Sequence, residues 1–256
     1  MTFMNIILKK IAIPAAICAL IFCASACGND DDNTEKSTDS GHISNDLNES
    51  LQSESSDDIP FTESLPEESK ADMNIKDEYL TPLEDYSWVR EFKPEFIMLH
   101  FCSNVVAEPQ NPYDIKKVRQ IFIDYEVSIH YIIDRDGTVY RYIPEDSVAW
   151  HAGKGIWDDT EKYTNDMNRY SIGIELLAIG SQSDMEQYMT KEQYSRLNSD
   201  DIGYTKAQYE SLDILLDFIC DENDIPRDKE HIIGHDEYNP NKTDPGELFD
   251  WDKVIR

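Results

Sequence analysis

Within ten residues, His235, Lys242 and Asp244 bring an imidazole, an ammonium and a carboxylate together. The surrounding stretch, His231 to Trp251, is rich in Pro, Asn and Gly, which predicts a loop rather than a helix. Pro245 biases Asp244 toward an extended conformation, so Lys242 and Asp244, two apart, project to the same side. Such a loop suits part of a metal site; an ion-pair network is the alternative.

A catalytic zinc site takes three protein ligands and leaves a position open. His100, near the carboxyl end of the apolar run Phe96–Cys102, makes a set of two imidazoles and one carboxylate with His235 and Asp244. Cys102, two residues on and facing the same way, is a rival ligand and a rival nucleophile, although no nucleophile-turn pattern surrounds it. Glu175 stands in the apolar run Ile172–Leu176, where a carboxylate is costly unless paired, protonated or bound. It is either an edge-facing surface residue or a general acid or base with a raised pKa. Lys242 is either a solvated loop lysine or a cation placed to stabilise an oxyanion. His130, His151 and His231 each also suit a hydrogen-bonded structural role.

The elements that position these residues are legible. Phe96–Cys102 reads as a buried strand, with Met98 and His100 on one face and Leu99 and Phe101 on the other. Asn111-Pro112 predicts a helix start, followed by an apolar face of Ile115, Val118, Phe122 and Tyr125. Ser128–Asp134 and Thr138–Ile143 read as strands joined by a hairpin at Arg135-Asp136-Gly137. A loop carries Ala149–Gly153, and Ser171–Leu176 is another strand. Thr205 and Gln208 form a capping box opening a helix whose stripe is Tyr209, Leu212, Leu216 and Ile219, ended before Pro226. His231–Ile233 is a last short strand. This alternation predicts an α/β fold: a single domain over residues 76–256, with a central mixed β-sheet flanked by helices.

Residues 1–27 read as an export signal, with Lys9 and Lys10, the apolar run Ile11–Cys23 and the small residues Ala24-Ser25-Ala26. The run is short for a membrane span and contains Pro14. Cys27, followed by Gly28-Asn29, resembles a bacterial lipobox. Lipidation there places the protein, exported, on the outer face of the bacterial cytoplasmic membrane, anchored rather than spanning. Ala24 stands where a larger aliphatic residue is usual, so cleavage after Ala26 and secretion is the alternative. Residues 28–75, dominated by Ser, Asp, Glu and Asn, read as a disordered acidic tether. The net charge of −29 leaves no basic patch, which argues against a nucleic-acid partner. Cys102 and Cys220, the two cysteines of the folded part, are either a disulfide or two buried thiols.

Six stretches, in order, resemble the zinc-dependent N-acetylmuramoyl-L-alanine amidases, the family related to peptidoglycan recognition proteins. They are Ile97–His100, Ser128–Tyr131 with Asp134–Gly137, Ala149–Gly153, Asn168 with Ser171–Glu175, Tyr204–Tyr209, and Gly234-His235 with Lys242–Gly246. The likeness covers roughly residues 94–254. It implies a fold of the recognition-protein type and one zinc ion on His100, His235 and Asp244. It further implies Glu175 as catalytic carboxylate, Lys242 as the carbonyl-polarising cation, and Trp150, His151 and Asn168 as substrate-binding residues. The implied reaction is hydrolysis of the amide between N-acetylmuramic acid and L-alanine, on peptidoglycan or muropeptides, by a monomer. A non-catalytic peptidoglycan-binding protein on the same fold is the competing reading. Some relatives carry a tyrosine where this chain has Ile129, which favours the mechanism using Glu175. The long segment Ser181–Gly203 is either a surface excursion or one wall of the substrate groove.

Overall fold

Phe96–Cys102 and Ser171–Leu177 are buried at every position, as the unbroken apolar runs of a parallel sheet covered on both faces demand. A computed structural model describes residues 75–256; the signal reading and all but the last residue of the tether reading lie outside the described residues. Its strands are β1 (Ile75–Asp77), β2 (Ser87–Val89), β3 (Phe96–Cys102), β4 (Tyr131–Ile133), β5 (Val139–Arg141), β6 (Ser147–Ala149), β7 (Ser171–Leu177) and β8 (Ile232–Gly234). Its α-helices are α1 (Ile115–Asp124), α2 (Lys191–Tyr194), α3 (Lys206–Asn223) and α4 (His235–Tyr238). Six strands form one sheet in the order β1-β5-β4-β7-β3-β8. Only β4–β5 is antiparallel there, while β2 and β6 pair antiparallel apart from it. The mixed α/β sheet is as expected.

Helices cover both faces. Tyr209, Leu212, Leu216 and Ile219 of α3 pack on Ile97, Leu99, Ile172 and Ile174. Each such aliphatic side chain, fully buried, contributes about 1.5–3 kcal/mol. Val118 and Phe122 of α1 pack on the other face against Cys102, Ile132 and Leu177. The capping box of α3 is present: Thr205 Oγ1 accepts from the Gln208 N–H, and Gln208 Oε1 from the Thr205 N–H. Cys102 and Cys220 are both buried thiols, not joined in a disulfide. No helix among the described residues is long and apolar enough to cross a membrane.

Several boundaries differ from expectation. Helix α1 is capped by Asp114, whose Oδ1 accepts from the Lys116 and Lys117 N–H groups, rather than starting at Asn111-Pro112. Pro112 is occupied otherwise, its carbonyl accepting from the Asn104 N–H after β3. Ser128–His130 lies outside β4, because Ser128 bonds to the backbone of Trp150 and Tyr86 instead. His231 precedes β8 and pairs with Asp228 at 2.7 Å. The hairpin stands as predicted, with Gly137 at φ +86° and its α-carbon close against Ser211 and Ala207 of α3.

The stretch read as wholly non-helical contains the one-turn helix α4. Glu237 Oε2 accepts from the Gly234 N–H at its start, and Asn239 N–H reaches His235 O at its end. Four residues suffice for this turn, so a Pro- and Asn-rich environment beyond Tyr238 does not oppose it.

Candidate metal centre and active-site pocket

Adjacency in the sheet brings the predicted residues together. Strands β7, β3 and β8 are neighbours and parallel, so all three end at the same edge, where open α/β sheets carry their sites. Glu175 and His100 lie on β7 and β3, and His235 opens α4 directly after β8. The chain beyond α4 folds back: Lys242 N–H donates to Asn239 O, and Asp236 N–H to Asp244 O, both at 2.9 Å. Lys242 and Asp244 therefore line one pocket with His100, His235, Glu175, Trp150 and His151. Lys242 is buried, so it is no solvated loop lysine.

His100, His235 and Asp244 form a buried group that could hold a metal ion, their ligand atoms all within 4.8 Å of one another. Nδ1 of His100 lies 3.0 Å from Nδ1 of His235 and 2.8 Å from Oδ2 of Asp244, and the latter two are 3.0 Å apart. His235 Nε2 is 3.0 Å from the carbonyl of Ala152, to which only an N–H can bond. In a neutral ring that leaves Nδ1 as a bare lone pair. Burial lowers the His100 pKa to about 4, so that imidazole is neutral near pH 7. Burial alone would raise the Asp244 pKa, so the carboxylate stays ionised only with positive charge beside it. Nitrogen lone pairs and an anion packed this closely call for a shared positive charge, and a divalent cation fits that donor set.

Glu175 is 2 % exposed, and its Oε2 has no hydrogen-bond partner among the described residues. Burial, then the nearby Asp244 charge, push its pKa well above the carboxylate range, against a hydrogen bond from Cys102 and the pull of Lys242. It sits on a strand inside the sheet, which rules out the edge-facing surface reading. Cys102 is thus engaged with the carboxylate and stands outside the three-residue metal group.

The remaining residues divide. Trp150 lines the pocket, its ring 6.0 Å from that of Trp88. His151 also lines it, but its Nδ1 lies 3.0 Å from Nε2 of His100, a link that spacing did not reveal. Asn168 is not among the residues lining this pocket; its Oδ1 accepts from the N–H groups of His151 (3.0 Å) and Ala152 (2.8 Å). Through Oδ1 it anchors the loop that bears His151. His130 is structural. Its Nδ1 accepts from the Gly173 N–H, its Nε2 reaches the Ser147 carbonyl, and burial lowers its pKa to about 3.

Segment 181–203 does not line this pocket, which leaves its other reading, a surface excursion. Its Asp184 braces the ligand loop from behind: the Asp184 carbonyl accepts from Thr243 Oγ1 at 3.0 Å, and Oδ2 from the Glu247 N–H at 3.3 Å. The rest of the segment covers Phe101, Val105 and Ile179.

The family model for N-acetylmuramoyl-L-alanine amidase (Amidase_2) matches residues 90–247. The 1,6-anhydro-N-acetylmuramyl-L-alanine amidase AmpD of Escherichia coli (strain K12) is 34% identical over 126 residues, 49% of this chain and 55% of that protein. The chain spans about half the length of the curated relatives it matches. Among solved structures, a selenomethionine derivative of AmpD is similar with TM-score 0.47 and 23% identity, over 71% of this chain and 92% of that one. A complex of the Escherichia coli amidase AmiD with anhydro-N-acetylmuramic acid-L-Ala-D-gamma-Glu-L-Lys has TM-score 0.47 and 23% identity, over 64% and 56%. Since the family model spans more than half of its residues, this chain belongs to the N-acetylmuramoyl-L-alanine amidase family.

Proposed function

We propose that this protein hydrolyses the amide between the lactyl group of N-acetylmuramic acid and the L-alanine of the stem peptide, in peptidoglycan or its muropeptide fragments. One observation carries the reading: a buried carboxylate with an unpartnered oxygen, Glu175, shares a pocket with the donor set His100, His235 and Asp244 and with the Lys242 cation. Two imidazoles and a carboxylate suit zinc, which when bound would lower the pKa of a water and polarise the scissile carbonyl.

The side chains supply the rest. Glu175, its pKa raised by burial, accepts a proton from the attacking water and delivers it to the leaving amine of L-alanine. Lys242 opposes the negative charge that builds up on the carbonyl oxygen in the transition state. Trp150 offers an apolar wall to the substrate, and Asn168 keeps the loop bearing it in place.

Full-length protein incubated with muropeptides, with and without a chelator, tests this through the release of L-alanine amino groups. Release that stops on chelation and in Asp244→Ala is expected. Activity surviving both would sink the zinc mechanism, and no release under any condition would leave a peptidoglycan-binding protein. We also propose that the chain is exported and held on the outer face of the cytoplasmic membrane by a lipid on Cys27, with secretion the alternative. The lipobox-like residues Ala24–Cys27 support this. A Cys27→Ala protein should leave the membrane fraction.

A further inference from the structure

The second nitrogen of His100 starts a chain of hydrogen bonds leading away from the metal group. His100 Nε2 lies 3.0 Å from His151 Nδ1, His151 Nε2 lies 3.3 Å from Ser171 Oγ, and Ser171 Oγ lies 2.7 Å from the Met167 carbonyl. The direction of each bond can be deduced from the far end. A carbonyl only accepts, so the Ser171 hydrogen is given to Met167. Ser171 Oγ then offers a lone pair to His151, whose Nε2 must carry the N–H. A neutral imidazole has one N–H, so His151 Nδ1 is a lone pair and accepts from His100 Nε2–H. That leaves Nδ1 of His100 bare, facing His235 and Asp244.

We propose that Ser171 is a positioning residue for the metal: through His151 it selects the His100 tautomer whose Nδ1 is free to bind a cation. The inference rests on the metal reading of His100, His235 and Asp244. The arrangement is built rather than incidental. Ser171, His151 and His100 are all buried. The His151 ring lies so close over Gly173 that a Cβ there would stand 2.6 Å from Nδ1, so only glycine leaves room for the ring at this position. Ser171, Gly173 and Glu175 alternate along one face of β7, so one strand carries the end of the chain, the platform for the ring and the buried carboxylate. Groups behind a metal ligand that fix its tautomer typically change affinity 10–100-fold when removed.

Ser171→Ala deletes one oxygen and adds no volume. Without its acceptor, His151 gains by carrying its proton on Nδ1 instead. It then donates to His100 Nε2 and drives the His100 proton onto Nδ1, into the metal position. Two measurements on the full-length protein test this: zinc affinity by competition with a chromophoric chelator, and the 15N signature of the His100 ring in zinc-free protein under mildly alkaline conditions. The expected result is Nε2–H His100 in the wild type. In Ser171→Ala, zinc binding should weaken about tenfold or more, with Nδ1–H His100 appearing. Zinc affinity within twofold of wild type would overturn the proposal. So would weaker binding with the His100 signature unchanged, since the loss would then come from packing. A wild-type protein that binds no zinc overturns the metal reading instead, and the ring signature then decides the tautomer assignment alone.

Discussion

His100 and Glu175 are register partners on adjacent parallel strands, with both side chains in the same pocket. The backbones that carry a ligand of the candidate metal and the carboxylate that would carry the proton are thus held about 4.8 Å apart by a sheet ladder. Neither rides on a loop, so their spacing is set before any substrate arrives.

Replacing Glu175 by Gln keeps the shape and removes the proton carrier. Turnover should fall at least about 100-fold in the amine-release assay. Stability should respond in the opposite sense. The folded pKa of Glu175 is raised above the unfolded value near 4.3. The stability that its protonated form allows is therefore present below that value and lost as pH rises through the folded pKa. Gln has no such loss, so in metal-free protein the variant's melting temperature should exceed the wild type's by a margin that widens with pH. A variant melting lower at every pH would contradict this.

Lys242→Met should separate electrostatics from metal binding. The ammonium lowers the pKa of both His100 and Glu175, which places its charge beside them. Its loss should reduce kcat by about 10²–10³. Zinc affinity, measured by titration, should hold or tighten, because a cation beside the ligands repels a metal. Loss of zinc together with kcat would make Lys242 a structural prop.

Acid should destabilise the metal-free fold through its buried imidazoles. His100 and His130 have pKa values lowered to about 4 and about 3, and His151 lies well below its usual value, in each case chiefly through burial. These groups are neutral when folded and take up protons when unfolded. Their contribution is complete above about pH 6.5 and is lost as pH falls through the folded values. His130→Asn, which keeps an acceptor and a donor, should flatten the fall in urea-unfolding free energy between about pH 6 and pH 4. An unchanged slope would mean that His130 is protonated in the fold.

Asn168→Ala strips one acceptor from two N–H groups of the loop bearing Trp150 and His151. A cost of about 1–3 kcal/mol in urea unfolding is expected, with KM for muropeptides rising more than kcat falls. Asn168→Asp, which keeps the accepting oxygen, should restore most of both. If KM rose equally in the two variants, the amide nitrogen of Asn168 would be meeting substrate after all.

Much of the site was legible because its signals are local. Alternation along Phe96–Cys102 aims His100 away from Leu99, and the Thr205–Gln208 box announces α3 from four residues. The helix start at Asn111-Pro112 misled because Asp114 competes for the cap and Pro112 serves the turn after β3. The roles of Asn168 and of segment 181–203 were invisible for a different reason. Asn168 acts on backbone 16 and 17 residues away, and Asp184 on a loop 59 and 63 residues away, with nothing in either neighbourhood to mark the partner.

By itself, the sequence marked which residues could carry chemistry and where most strands, helices and turns lie, since periodicity, capping and proline act over a few residues. Only the tertiary structure decided that β7, β3 and β8 are neighbours, and hence that Asp244 meets His100 across 144 residues. It also decided that Glu175 loses its solvent, that Lys242 is buried, and that His100 is backed by His151 and Ser171. Desolvation and hydrogen-bond direction depend on what packs behind a side chain, and that is set by strand order, which no local pattern encodes.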